Sequence, residues 1–299
     1  MADGTASDAT ELSTDELFER IDVLPPYYAL REVTVDATGL VHAIAPIQQP
    51  LGAEIPPLSA AEAGRHLAIC GSVAASLANP KAGRFHYLAT DAEFRRGRSP
   101  ADPSITEIAI AARATMIDKR TAHASVFAST LGGKPLVSLS CYYSVVGYDM
   151  MRKMFSDHCL DFAVPAENPY AQSREPERVE IAGGKIEVDL GRVEAEACAG
   201  HFEGLPAMPV AYLMSNVAEA AGSLIRRQRA DPDLRIAVQE GSVRADGLAF
   251  AGESVVLRGE HQGLRYGNEW VYVEAFTDTN KRVGALHLKA TAEETADES

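Results

Sequence analysis

His201-Phe202-Glu203-Gly204-Leu205-Pro206-Ala207-Met208-Pro209-Val210-Ala211-Tyr212-Leu213-Met214, running on into Asn216-Val217-Ala218-Glu219-Ala220-Ala221-Gly222, changes character at a single point. Proline in the first turn of a helix is pre-organised and gives up no needed hydrogen bond, so Met208-Pro209 marks a helix start. The small and apolar residues after it predict a buried helix over 209–229. Amide groups left free at such a start, with the positive end of the helix dipole, can stabilise charge on a carbonyl oxygen. His201 stands just before that end, and Tyr212, Leu213 and Met214 fill core or line a tunnel.

Upstream, residues 59–77 predict a second helix of the same kind, with Leu67, Ile69, Val73 and Leu77 among Ala and Gly and a stop at Asn79-Pro80. A short helix is expected at 14–21, capped by Ser13 or Thr14, and another at 148–158. Residue types favour strands at 28–36, 40–47, 84–95, 104–117, 123–131 and 136–146 before a Pro- and charge-rich linker. The order then repeats, with strands at 179–181, 185–190 and 193–198, the helix at 209–229, and strands at 234–239, 254–261, 270–277 and 283–290. Sliding one half over the other by 152 residues superposes Gly52 on Gly204 and Pro57 on Pro209. The implied organisation is a loose tail at 1–12, a first domain at 13–160, a linker at 161–178, a second domain at 179–290 and a loose tail at 291–299.

A formal charge of −14 makes a phosphate backbone an unfavourable partner, which excludes nucleic acid. The N-terminal residues are polar and acidic, unlike a secretory leader, and no apolar run reaches membrane-spanning length, so a soluble, cytoplasmic protein is expected. Cys70, Cys141, Cys159 and Cys198 lack CxxC spacing and read as reduced core thiols, with a disulfide or zinc site as the lesser reading. His42, His86, His123, His158, His261 and His287 are too dispersed to suggest a metal, and no phosphate-binding loop, HExxH or GxSxG is present.

The 201–222 stretch resembles the bacterial β-hydroxyacyl-ACP dehydratases, in which HF-x-G-x-P-x-MPG opens the central helix of a hot-dog domain. His201, Phe202, Gly204, Pro206, Met208 and Pro209 keep that spacing. The likeness covers about 179–290, and the internal repeat extends it to the first half. It implies an α+β double hot-dog, two tandem domains each with a long central helix wrapped by a curved antiparallel sheet. It also implies an acyl thioester substrate carried on coenzyme A or an acyl carrier protein, with no cofactor beyond that carrier. His201 would remove the α-proton while an acid protonates the departing β-hydroxyl.

Two residues depart from the family pattern: Ser215 stands fourteen positions after His201, where the family has its acid, and Val210 stands where it has Gly. In hot-dog dimers the His and the acid of one site come from different protomers, so the first half should supply the acid here. The 152-residue shift sets Gln49 opposite His201 and Ala63 opposite Ser215, with Glu62 the neighbouring carboxylate and His66 one helical turn beyond it. The expected site therefore pairs His201 with Glu62 as catalytic residues. Gly204, Pro209, Val210, Ser215, Asn216 and His66 contact substrate, and a Gln49/Ser215 counterpart is inactive.

For Glu62 and His66, an ordinary i,i+4 pair on an exposed helix edge remains the other reading. Two arginine clusters, Arg95, Arg96 and Arg98, and Arg226, Arg227 and Arg229, could hold carrier phosphates or could be solvated edges. Hydration or dehydration of a β-hydroxyacyl or enoyl thioester is the first expectation, thioester hydrolysis the alternative, and non-catalytic acyl or carrier-protein binding a third. Fused halves would allow a monomer, with a homodimer through sheet edges also open.

Overall fold

The computed structural model of the chain describes residues 9–98, 101–172 and 175–293. Strand β1 (Thr10–Glu11), helix α1 (Thr14–Ile21) and strands β2 (Arg31–Val35) and β3 (Val41–Pro46) lead to the long helix α2 (Ala60–Ala78). Strands β4 (Phe85–Arg96), β5 (Glu107–Met116), β6 (Thr121–Ser129) and β7 (Pro135–Gly147) follow, then the short helix α3 (Tyr148–Met154). After a connecting segment come β8 (Arg178–Ala182), β9 (Lys185–Arg192), the second long helix α4 (Val210–Arg229), β10 (Arg235–Ala245), β11 (Ser254–Arg265), β12 (Asn268–Thr277) and β13 (Arg282–Glu293).

Among the described residues these strands form one sheet in the order β1-β2-β3-β5-β6-β7-β4-β10-β13-β12-β11-β9-β8, each neighbouring pair antiparallel. From β2 to β8 the order reads as a palindrome about the β4–β10 seam, so the halves are related by a two-fold. Along the seam Ala92 pairs with Val243 and Glu93 with Ser242. Burial alternates residue by residue along β12, the mark of a sheet with one face packed on a core and the other in water. Each half wraps its own long helix. Ser59 caps α2 by accepting the Glu62 amide, and Pro209 stands at the N-cap of α4.

The starts of the long helices and of the seam strands relate the halves by 150 residues, Ala60 matching Val210 and Phe85 matching Arg235, rather than by 152. The longer shift holds only at Gly52 and Gly204, which both take left-handed φ values (57° and 62°) in the loop before their helix. Two further residues separate Gly52 from α2, so Pro57 is not the counterpart of Pro209. This changes who faces whom: Arg65, not Ala63, is the counterpart of Ser215.

The strand expected at 193–198 is absent. Past β9 the chain leaves the sheet to reach α4, Glu196–Cys198 forming a turn of 3-10 helix. β10 runs further than its apolar residues suggested because Gly241, Ser242 and Arg244 are held in register by β4 on one side and β13 on the other. The tails expected at 1–12 and 291–299 lie largely outside the described residues; within them, Thr10–Glu11 pairs with β2, and β13 runs on to Glu293. No disulfide joins the cysteines, and no helix among the described residues is long and apolar enough to cross a membrane.

Packing of α2 on its sheet is tightest at Gly71, where an added Cβ would lie 2.4 Å from Tyr143 Oη and 3.1 Å from Ala124 Cβ. Gly71→Ala should therefore lower the unfolding free energy by about 1–3 kcal/mol despite alanine's better helix propensity. Urea titration of the two proteins checks this, and an unchanged midpoint would contradict it.

Candidate functional site

The loop before α4 is pinned from several sides before it presents His201. Gly200 takes φ +79° and lies so close to the Leu24 carbonyl that a Cβ there would stand 2.2 Å from its oxygen. Its own carbonyl accepts the Leu24 amide at 2.8 Å, and the Ala199 carbonyl accepts from Tyr170 Oη at 2.9 Å. Phe202 stacks on His201 (ring centroids 4.0 Å apart) and meets His86 edge-on at 4.9 Å. Behind it, Asp22 ends α1 in a left-handed conformation and bonds His86 Nε2 at 2.6 Å and the Arg84 guanidinium, which also reaches Glu203 at 2.9 Å. Residues from α1, β4 and the second half thus converge on one loop.

His201 is 8 % exposed, and its Nδ1 lies 2.9 Å from the Ala207 carbonyl oxygen. A carbonyl can only accept, so Nδ1 carries the hydrogen and Nε2 is the basic atom. Burial pushes the ring down to about 4, against the opposing pull of that carbonyl, so the imidazole is neutral at physiological pH.

His201 lines a cavity of about 570 Å³ between α2 and α4, under the β4–β10 seam. Its walls are mostly apolar, with Ala61 and Ile69 from α2, Val210 and Met214 from α4, and Val238 and Leu286 from the second-half strands. Asp91 and Asp246 are the carboxylate residues on its lining. Asp91 is five residues along β4 from His86, about 16 Å at the rise of a strand. Asp246 is paired with Arg244 at 3.0 Å and Arg282 at 2.9 Å.

Tyr27 lines the same cavity and meets His201 edge-on, with ring centroids 5.0 Å apart. The Ala211 amide at the start of α4 donates to its hydroxyl oxygen, and burial pushes the phenol up to about 12, so it keeps its proton. The helix-end amide expected to face substrate therefore reaches the cavity through a tyrosine. Sequence reading missed Tyr27, which precedes β2 far from the motif; the Pro25-Pro26-Tyr27-Tyr28 run was its one local signal. Arg65 was missed as well. It is 1 % exposed, lines the cavity, donates to the Tyr27 and Pro26 carbonyls at 2.8 and 2.7 Å, and lies over the Tyr27 and Tyr170 rings.

The structure does not bring Glu62 to His201. Glu62 is fully buried, with Oε1 accepting the Gln48 and Gln49 amides at 2.5 and 2.9 Å and lying 3.5 Å from His66 Nε2. The two residues form an i,i+4 pair inside the protein, not on an exposed edge, and neither lines the cavity. The cause is the turn of the helix: the α2 face carrying Ala61 and Arg65 looks into the cavity, and Glu62 is rotated from Ala61 by about 100°.

Of the other expected contacts, Val210 lines the cavity and Pro209 caps α4. Gly204 lies against Arg152, whose Nη1 would be 2.9 Å from an added Cβ. Ser215 and Asn216 line a second, more polar pocket of about 360 Å³ with Gln49, Gly52 and Glu219. This pocket unites the Gln49 and Ser215 expected in one site, and it lies against β8 and β9, away from the β4–β10 seam. There Glu219 accepts the Ala53 amide at 2.8 Å and pairs with Arg226 at 3.4 Å. Each arginine cluster is engaged internally in part: Arg96 donates to the Val238 and Leu58 carbonyls, Arg226 to the Leu234 carbonyl, and Arg229 pairs with Glu269, while Arg95, Arg98 and Arg227 are exposed. No group of three or more potential metal ligands occurs among the described residues.

No family model and no curated protein matches the sequence. Solved structures do match it along most of its length. The tesB protein of Mycobacterium avium subsp. paratuberculosis is 14% identical, with 84% of this chain and 92% of that one covered at a TM-score of 0.56. The acyl-CoA thioesterase II TesB2 of Mycobacterium marinum is 11% identical, with coverage of 89% and 96% and a TM-score of 0.55. The 12:0-ACP thioesterase of Umbellularia californica is 7% identical, with coverage of 85% and 95% and a TM-score of 0.54. The fold is a double hot-dog. At these identities the likeness is one of fold, and it spans both halves of the double hot-dog.

The buried neutral imidazole has a thermodynamic signature. An unfolded chain protonates this ring below about pH 6.5, the folded one only near pH 4, so its contribution to stability is full above 6.5 and is lost as pH falls toward 4. The loss should reach roughly 3 kcal/mol. His66 is lowered in the same direction by burial, so the test is the difference between wild type and His201→Gln. Between pH 7 and pH 4 the variant should gain about that much relative to wild type in denaturant unfolding; parallel pH curves would contradict it.

Proposed function

We propose that this chain hydrolyses acyl thioesters of coenzyme A or an acyl carrier protein in the cavity between its two central helices. The reading is carried by one juxtaposition: an unprotonated imidazole nitrogen and a protonated phenol side by side on an apolar cavity, with the lining carboxylates Asp91 on β4 and Asp246 just past β10, the latter paired with arginines. Hydrolysis needs a base for water and a donor for the carbonyl oxygen, and it needs no separate carboxylic acid. The names of the structurally similar thioesterases support the same reading.

In the proposed reaction, His201 Nε2 takes a proton from water as the water oxygen bonds to the thioester carbon. Negative charge gathers on the carbonyl oxygen, which accepts from Tyr27 Oη. Collapse of this intermediate breaks the carbon–sulfur bond, and the imidazolium returns its proton to the thiolate. Val210 and Ala211 would border the acyl group beside the helix end.

A second reading, hydration of an enoyl thioester or its reverse, is favoured by the HFxGxPxMP spacing that begins at His201. It would use the same imidazole on the α-carbon, and it needs an acid that Glu62 does not supply from its place under the Gln48–Gln49 turn.

Thiol released from acyl-CoA, followed with a thiol reagent, separates the two. Wild type should release thiol, His201→Ala should lose about 10²–10⁴-fold in kcat/KM, and Tyr27→Phe about 10²–10³-fold, mainly in kcat. Loss of enoyl absorbance without thiol release would replace hydrolysis by hydration. Full turnover in His201→Ala would remove both.

A further inference from the structure

We infer that the cavity takes the hydrocarbon chain of a medium to long acyl group along the face of α2 formed by Ala60, Gly64, Ala68 and Ser72, and that Gly64 sets the chain length admitted. The inference rests on the proposed thioester reading for the identity of the head group, but not for the chain.

These four residues recur every fourth position, so they form one stripe along the helix, and all four line the cavity. Small residues on a helix usually let another element approach closely, and Gly71 is of that kind, since its Cβ would strike Tyr143. Gly64 is the opposite case. A Cβ built there meets nothing within 4 Å, although glycine inside a helix costs about 1 kcal/mol relative to alanine. Ala60, Gly64 and Ala68 are half-buried while Ala61, Leu67 and Val73 are buried, as expected if the stripe borders empty space. No neighbouring side chain accounts for that glycine.

Polar atoms along the stripe are already turned to the backbone. Ser72 Oγ donates to the Ile69 carbonyl at 2.7 Å and Tyr143 Oη to the Ala68 carbonyl at 2.8 Å. Neither hydroxyl is left for a guest lying there; among the described residues the buried donor without a partner on the lining is Arg65 Nη1, off the stripe, while Met214, Val238, Leu286 and Leu288 form apolar parts of the walls. A hydrocarbon fits such a lining and a polar acyl group does not. From Ala60 to Ser72 the stripe is about 18 Å long. An extended chain advances roughly 1.2 Å per bond, which gives room for about fifteen bonds, a chain of about sixteen carbons.

Gly64→Leu tests this without threatening the fold, because leucine is the better helix former and the space is open. Thiol release is measured with hexanoyl-CoA and lauroyl-CoA, and binding of the matching free fatty acids by displacement of a fluorescent fatty acid. The variant should lose about tenfold or more in kcat/KM and affinity for the lauroyl compounds while its hexanoyl values stay within about twofold. Ala68→Leu should act in the same direction. An equal loss at both lengths, or none at the longer, would overturn the chain assignment. Absence of thiol release from the wild type would overturn the hydrolase reading alone, and the binding selectivity would still decide the place of the chain.

Discussion

Everything at the candidate site depends on the antiparallel pairing of β4 with β10. That ladder joins two half-sheets that would otherwise each present an open edge, and an open edge invites pairing with another chain. Because the two-fold runs through this ladder, it also sets α2 beside α4. Shared lining follows from this: His201 belongs to the loop of one half and Ala61, Gly64 and Arg65 to the helix of the other. Neither half alone contains the cavity.

The cavity straddles the two-fold, since Ala60 and Val210, Ala61 and Ala211, Gly64 and Met214, and Ala68 and Ala218 all line it. Side-chain chemistry breaks the symmetry around it: Arg65 stands where α4 has Ser215, and Gln49 lines the outer pocket at the loop position where the motif has His201. Carboxylates around both are committed to partners within the protein. Glu62 accepts two amides of the Gln48–Gln49 turn, Glu54 accepts the Ala60 amide at the start of α2, Glu219 accepts the Ala53 amide, and Asp22 joins His86 to Arg84. Burial even pushes Glu54 up to about 7, with Arg96 pulling the other way, which suits an acid held as a bridge. Acids employed in this manner fix loops, and they leave the imidazole at position 201 as the basic group on the apolar side.

Much of the architecture was legible because it rests on local signals. Both long helices announce themselves by small and apolar residues on almost every side, and Pro209 and Ser59 mark their starts. The strands after each helix show period-two burial, and the repeated order gave the palindromic sheet in outline. What failed was anything requiring register across the repeat. A two-residue difference in the loop before α2 moved the partner of Ser215 from Ala63 to Arg65, and no single-sequence signal marks such a difference when Gly52 and Gly204 still coincide. Glu62 was lost as a partner of His201 for the same reason, since a displacement along a helix rotates a side chain out of a site. Tyr27 and Asp22 were invisible because they arrive from the N-terminal segment, whose sequence carries no periodic pattern there.

The apolar character of the cavity and the chemistry proposed for it constrain each other. Charge created inside such a space is poorly solvated, so an oxyanion and an imidazolium are tolerable only if they form close together and are met by fixed dipoles. Tyr27 and His201 are in edge contact, which keeps the two developing charges near one another. The helix end of α4 contributes through the Ala211 amide, whose hydrogen bond to the Tyr27 oxygen leaves the phenolic proton for the substrate. Burial that pushes the imidazole down to about 4 also makes the returning proton transfer favourable, since the imidazolium is an unstable state in that surrounding. The same desolvation thus prepares the base and drives its regeneration, and it does so only while the cavity stays lined by hydrocarbon.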